Sequence, residues 1–179
     1  MRFRPLLTLS GLLLLVLPLA TQAQGKAHEH GAARLDVAVE AGKLSLQLEA
    51  PLDSLFGFER APRTDVERKR VDAAVARLKA AESLFRPDSA GGCTLASVEL
   101  ASSVLELGRS APARGNSEHA DLDAAIEFQC KDAARLGFID SDLFVAFANL
   151  QRLDVQVATP KGQLKRTLKR PATRIALLR

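Results

Sequence analysis

The chain has 179 residues, 47% hydrophobic and 26% charged, with a formal net charge of +4. That length suits one ordinary domain with a buried core, and the apolar content excludes a disordered chain. The absence of Trp and Tyr, with only 8 Phe, argues against stacking of bases or sugars, and so against single-stranded nucleic acid or carbohydrate as partner.

Residues 1–23 carry the three-part pattern of a secretory signal peptide. Arg2 and Arg4 precede an apolar run from Leu6 to Leu19, and Thr21-Gln22-Ala23 stands before a cleavage point. The run falls short of the roughly 20 residues a membrane-spanning helix needs. The expectation is export to the periplasm and one mature domain over residues 24–179. Cleavage after Ala23 leaves 156 residues at +2. Lys161 to Arg179 holds seven basic groups and no acid, so residues 24–160 carry a balance of −5. An oxidising compartment makes a disulfide the expected state of Cys93 and Cys130, closing a loop of about 37 residues.

Arg34 to Glu40 alternates, with Leu35, Val37 and Val39 on one side. Lys43 to Glu49 repeats the pattern with Leu44, Leu46 and Leu48. Ala41-Gly42 between them is a turn, so the pair reads as a β-hairpin with one buried face. Leu52 to Phe58 is short and apolar. Thr64 opens a helix running to about Ser83: Thr64 and Glu67 form a capping-box pair, and Val71, Ala74, Val75 and Leu78 recur at helical spacing. Cys93 to Leu107 and Leu122 to Cys130 read as strands around a hydrophilic loop, residues 108–117. Ser141 to Leu150 reads as a short helix with Phe144, Phe147 and Leu150 on one face. Asp140 and Asp142 beside Ser141 are candidate N-caps or cation ligands. Residues 152–159, 163–169 and 173–178 are the last three strands. The predicted class is α+β, with antiparallel sheet in the order ββ-α-ββ-α-βββ.

The three histidines carry the chemistry. His28-Glu29-His30-Gly31 opens the mature chain. Residues two apart in an extended segment share a side, so His28 and His30 can grip one ion, with zinc–nitrogen distances of about 2.0–2.1 Å. His119, within Glu118-His119-Ala120-Asp121, also stands just before a strand. If the two strands run side by side in parallel, the three histidines meet at one sheet end, and Glu118, Asp121 or water completes four ligands. Two other readings stay open. The histidines are a solvated polar stretch, or cleavage after Gly25 exposes Lys26-Ala27-His28, a set suited to square-planar copper or nickel.

The run His28-Glu-His30-Gly31-Ala-Ala-Arg-Leu35-Asp-Val37, then Leu48-Glu-Ala-Pro51 and Gly57-Phe58-Glu59-Arg-Ala-Pro62, resembles the ZrgA-like family of bacterial periplasmic proteins. The same holds for Leu84-Phe85, Gly92-Cys93, His119-Ala-Asp121, Glu127-Phe128-Gln-Cys130, Leu143-Phe144 and Phe147. The resemblance spans nearly the whole mature chain. It implies an exported zinc-binding protein associated with zinc acquisition. Two departures stand out. The His/Asp/Glu-rich insertion common in the family is replaced by the short residues 108–117, and the His that usually follows Gly-Phe-Glu is Arg60.

No Gly-x-Ser-x-Gly elbow and no His-Glu-x-x-His helix is present, and no enzyme is expected. The resulting expectation is a periplasmic zinc-binding accessory protein that assists zinc acquisition, with components of a zinc-uptake transporter as partners. Its candidate ligands are His28, His30, Glu118, His119 and Asp121. The alternative is an envelope interaction module without a metal. It would use the basic C-terminal hairpin (Lys165, Arg166, Lys169, Arg170) against an acidic partner or a membrane surface.

Overall fold

Alternation of side chains builds the main sheet. The computed structural model describes residues 29–108 and 120–177. The expected signal segment, His28, Glu118 and His119 lie outside the described residues. In chain order the elements are β1 (Ala32–Glu40), β2 (Lys43–Pro51), α1 (Leu52–Phe56), α2 (Asp65–Lys79), α3 (Ala81–Leu84), β3 (Phe85–Pro87), β4 (Cys93–Ala101), β5 (Asp121–Cys130), β6 (Phe138–Ser141), α4 (Leu143–Ala146), β7 (Arg152–Thr159), β8 (Gly162–Lys169) and β9 (Arg174–Ala176). No helix of the described residues is long and apolar enough to cross a membrane.

Six strands form one sheet in the order β4-β5-β2-β1-β7-β8, and β3-β6-β9 form a second. The expected hairpin is β1–β2, antiparallel from Arg34↔Glu49 to Glu40↔Lys43. One face of the large sheet is apolar: Leu35, Val37, Leu44, Leu46, Leu48, Ile126, Val155 and Val157 are all buried. These side chains join one continuous core with Phe56 of α1, Leu78 of α2, Leu84 of α3, Ile139 of β6 and Ile175 of β9. The opposite face is polar. Asp36, Gln47, Gln156 and Lys165 line a shallow groove of about 540 Å³ there.

The class is α+β, as expected, but the order ββ-α-ββ-α-βββ is not. The described residues form nine strands, and β1 runs parallel to β7, from Ala32↔Arg152 to Ala38↔Ala158. The extra strands β3 and β6 are three and four residues long, too short to show an alternating pattern. The expected helix from Thr64 to Ser83 is broken at Ala80, whose ψ of 51° leaves the helical region. That break lets Leu78, Ala81, Leu84 and Phe85 all reach the core. The strand expected to reach Leu107 ends at Ala101, because the chain doubles back through a Ser102–Leu107 bridge.

The helix expected over residues 141–150 is only one turn, Leu143–Ala146. The guanidinium of Arg170 donates to the carbonyls of Phe147, Ala148 and Leu150 at 2.9, 3.2 and 3.1 Å, so those groups need no helical partners. Asp142 holds the N-cap position, but its side chain makes no capping hydrogen bond. Asp142 takes two hydrogen bonds from Arg86, and Asp140 takes two from Arg174. Cys93 and Cys130 are directly opposite on β4 and β5 and form the expected disulfide.

Candidate metal centre

His30, Asp53 and Glu59 converge at one end of the large sheet. Each offers a ligand atom, and the three atoms lie within 4.8 Å of one another. Three separate local structures produce this meeting.

His30 sits in the turn that enters β1. The Ala32 N–H donates to the Glu29 carbonyl at 3.0 Å, and Gly31 adopts a φ of 74°, the left-handed conformation such a turn needs and glycine supplies without strain. Glu29 is drawn the other way, accepting from Arg152 at 2.6 Å. Asp53 lies in the first turn of α1, just after Pro51 ends β2. The Leu52 N–H donates to the Ala120 carbonyl at 2.7 Å, and the buried Ser54 hydroxyl donates to the Ala32 carbonyl at 3.1 Å. The short helix is thus pinned to the starts of both β5 and β1. Glu59 follows the end of α1, where Gly57 closes the helix with φ 85° and Phe58 stacks on Phe56 at 5.9 Å.

The His30 imidazole Nδ1 and an Asp53 carboxylate oxygen stand 2.5 Å apart, and Glu59 is 3.5 Å from the same nitrogen. Asp53 is 16% exposed, Glu59 48% and His30 78%. Asp53 is therefore the floor of the site, and the other two form an open rim. The hydrogen bond to Asp53 raises the His30 pKa above its ordinary value, with the negative charges of Asp53 and then Glu59 adding to the effect.

Of the residues expected from the sequence, His30 is in the cluster. His28, Glu118 and His119 lie outside the described residues. Asp121 begins β5 opposite Pro51 and is not among the three clustered ligands. The two strands that follow His30 and His119 are not side by side. Both run antiparallel to β2, which lies between them, so β1 and β5 begin at the same end of the sheet, one strand apart.

Asp53 and Glu59 are not legible as ligands from the sequence. Glu59 at least falls inside the Gly57-to-Pro62 motif. Its neighbour Arg60 turns away: it forms two hydrogen bonds with Glu67, at 3.0 and 2.7 Å, and lies over the Phe58 ring. The Arg60 charge is thus paired with Glu67. Both thiols are taken by the disulfide, which restricts the donors to imidazole and carboxylate. The basic C-terminal strip is also thinner than its count. Arg170 is held by backbone carbonyls and Arg174 by Asp140.

A family model described as ZrgA family zinc uptake protein matches residues 27–177. No curated protein matches the chain.

Proposed function

The chain belongs to the ZrgA family of zinc uptake proteins, and on that footing we propose that it is an exported, periplasmic zinc-binding accessory protein that passes zinc to the components of an uptake transporter. The observation that carries this reading is the convergence of His30, Asp53 and Glu59 on one point.

The donor chemistry supports it. Zinc accepts imidazole nitrogen and carboxylate oxygen at about 2.0–2.2 Å, and tetrahedral ligands around it stand about 3.3 Å apart. Glu59 already stands near that distance from His30 Nδ1, at 3.5 Å. The closer Asp53 contact is a hydrogen bond, so zinc would replace the proton between His30 and Asp53. His28 lies two residues before His30. His119 directly precedes Ala120, whose carbonyl is bonded to Leu52 beside Asp53. Those two histidines, with Glu118 or Asp121 as further donors, are the proposed means of completing the shell. A set without thiolate, open on its His30 side, suits a carrier that must release its cargo rather than a structural site.

Titration calorimetry of the mature protein with zinc tests this. We expect one site tighter than about 0.1 mM, weakened at least about tenfold when Asp53→Asn and Glu59→Gln are combined. No zinc binding in the wild type, or unchanged affinity in the double variant, would contradict it. The reading assigns no catalytic role to any residue.

A further inference from the structure

We propose that Asn149 is a positioning residue for the metal centre, a clamp that holds the turn carrying His30 and the helix carrying Asp53 in one arrangement. The inference rests on the metal reading above, and its test separates the two.

Asn149 lies in the connection between α4 and β7, on neither segment that supplies a ligand. Its side-chain amide donates to the Asp53 backbone carbonyl at 3.3 Å. That carbonyl also receives the Gly57 N–H at 2.8 Å, the bond that closes α1. Asn149 therefore joins the capping arrangement that sets the chain's exit toward Glu59. The approach is close: a Cβ on Gly57 would sit 3.0 Å from the Asn149 amide nitrogen, and a Cβ on Gly31 3.2 Å from the Asn149 carbonyl oxygen. Gly31 directly follows His30, and its carbonyl receives the N–H groups of Gln151 and Arg152 at 2.7 and 3.0 Å. One five-residue connection thus touches the neighbour of His30, Asp53 itself, and the residue two before Glu59.

The connection is itself held rigidly. Arg170 gathers three of its carbonyls, the Gln151 amide donates to Ala148 at 2.9 Å, and Arg77 of α2 donates to Ala146 at 2.8 Å. Three ligands from two separate segments lose less freedom on binding metal when a third segment already fixes their spacing. Groups that orient ligands in this way commonly change metal affinity by 10–100-fold when removed.

Asn149→Leu keeps the branched shape of the side chain and removes the amide. Thr167→Val serves as a control, because it removes the Thr167–Asp154 hydrogen bond on β8 and β7 without touching the centre. We expect Asn149→Leu to bind zinc roughly tenfold more weakly than wild type, and Thr167→Val to bind as wild type does. In the zinc-free proteins, the His30 imidazole NMR resonances should shift toward those of a free histidine in Asn149→Leu alone. Zinc affinity within twofold of wild type and unmoved His30 resonances would overturn the clamp. If the wild type binds no zinc, the metal reading fails, and the His30 resonances of the zinc-free proteins still decide whether Asn149 positions the imidazole.

Discussion

His30 and Asp53 are 23 residues apart in the chain and meet through Nδ1 and Oδ2 at 2.5 Å. The contact crosses from the turn before β1 to the first turn of α1, and it stabilises the protonated imidazole. The His30 pKa is therefore raised, through the Asp53 hydrogen bond first and the charges of Asp53 and Glu59 after it.

A pH dependence follows. Zinc needs the neutral imidazole, so protons compete with it. Affinity should rise by up to about tenfold per pH unit below the His30 pKa and level off above it. The zinc-free protein should show the opposite trend. The His30–Asp53 pair contributes stability that is fully present below the ordinary histidine value of 6.5 and is lost as pH rises through the raised one. Calorimetric zinc titrations and melting curves across that window check both signs.

The start of α2 makes an acid-sensitive cap. Glu67 is held down to about 2, first by hydrogen bonds from Arg60, then by the Arg63 N–H, with the Thr64 N–H adding to it. Its contribution is complete above its ordinary value of 4.5 and is lost as pH falls through about 2. Thr64 accepts the Glu67 N–H at 3.2 Å to complete the box. Thr64→Ala should lower stability by about 1 kcal/mol in urea unfolding, with zinc affinity unchanged.

The Cys93–Cys130 bridge spans 37 residues of sequence. Closing a loop of that size stabilises the fold by about 3–4 kcal/mol in the chain-entropy model. The combined Cys93→Ala and Cys130→Ala variant should lose about that much in denaturant unfolding. Zinc affinity under native conditions should persist, since neither sulfur is a ligand.

The strands of the central sheet are legible because they alternate strictly. In Leu35-Asp-Val37-Ala-Val39 a one-residue slip would turn the apolar set to water. The Thr64–Glu67 box is legible for a similar reason: the two residues need only each other and the helix they begin. The parallel pairing of β1 with β7 is not written in either strand, because partner choice depends on how the intervening chain crosses. The metal centre divides the same way. His30 is conspicuous as a rare residue type, whereas Asp53 and Glu59 are two of 21 acids in short segments without periodicity. Their closeness to His30 exists only once α1 is pinned to β1 by Ser54 and to β5 by Ala120. The condition that would bring all three histidines together, β1 beside β5, is not met: β2 pairs on both edges and takes the place between them.

The central claim is that His30, Asp53 and Glu59 bind one zinc ion together. Anomalous diffraction at the zinc edge, from crystals of the mature protein grown with zinc, tests it most directly. The account predicts a peak within about 2.3 Å of a His30 ring nitrogen and of carboxylate oxygens of Asp53 and Glu59. A zinc peak elsewhere on the protein, with none at these three residues, would contradict it.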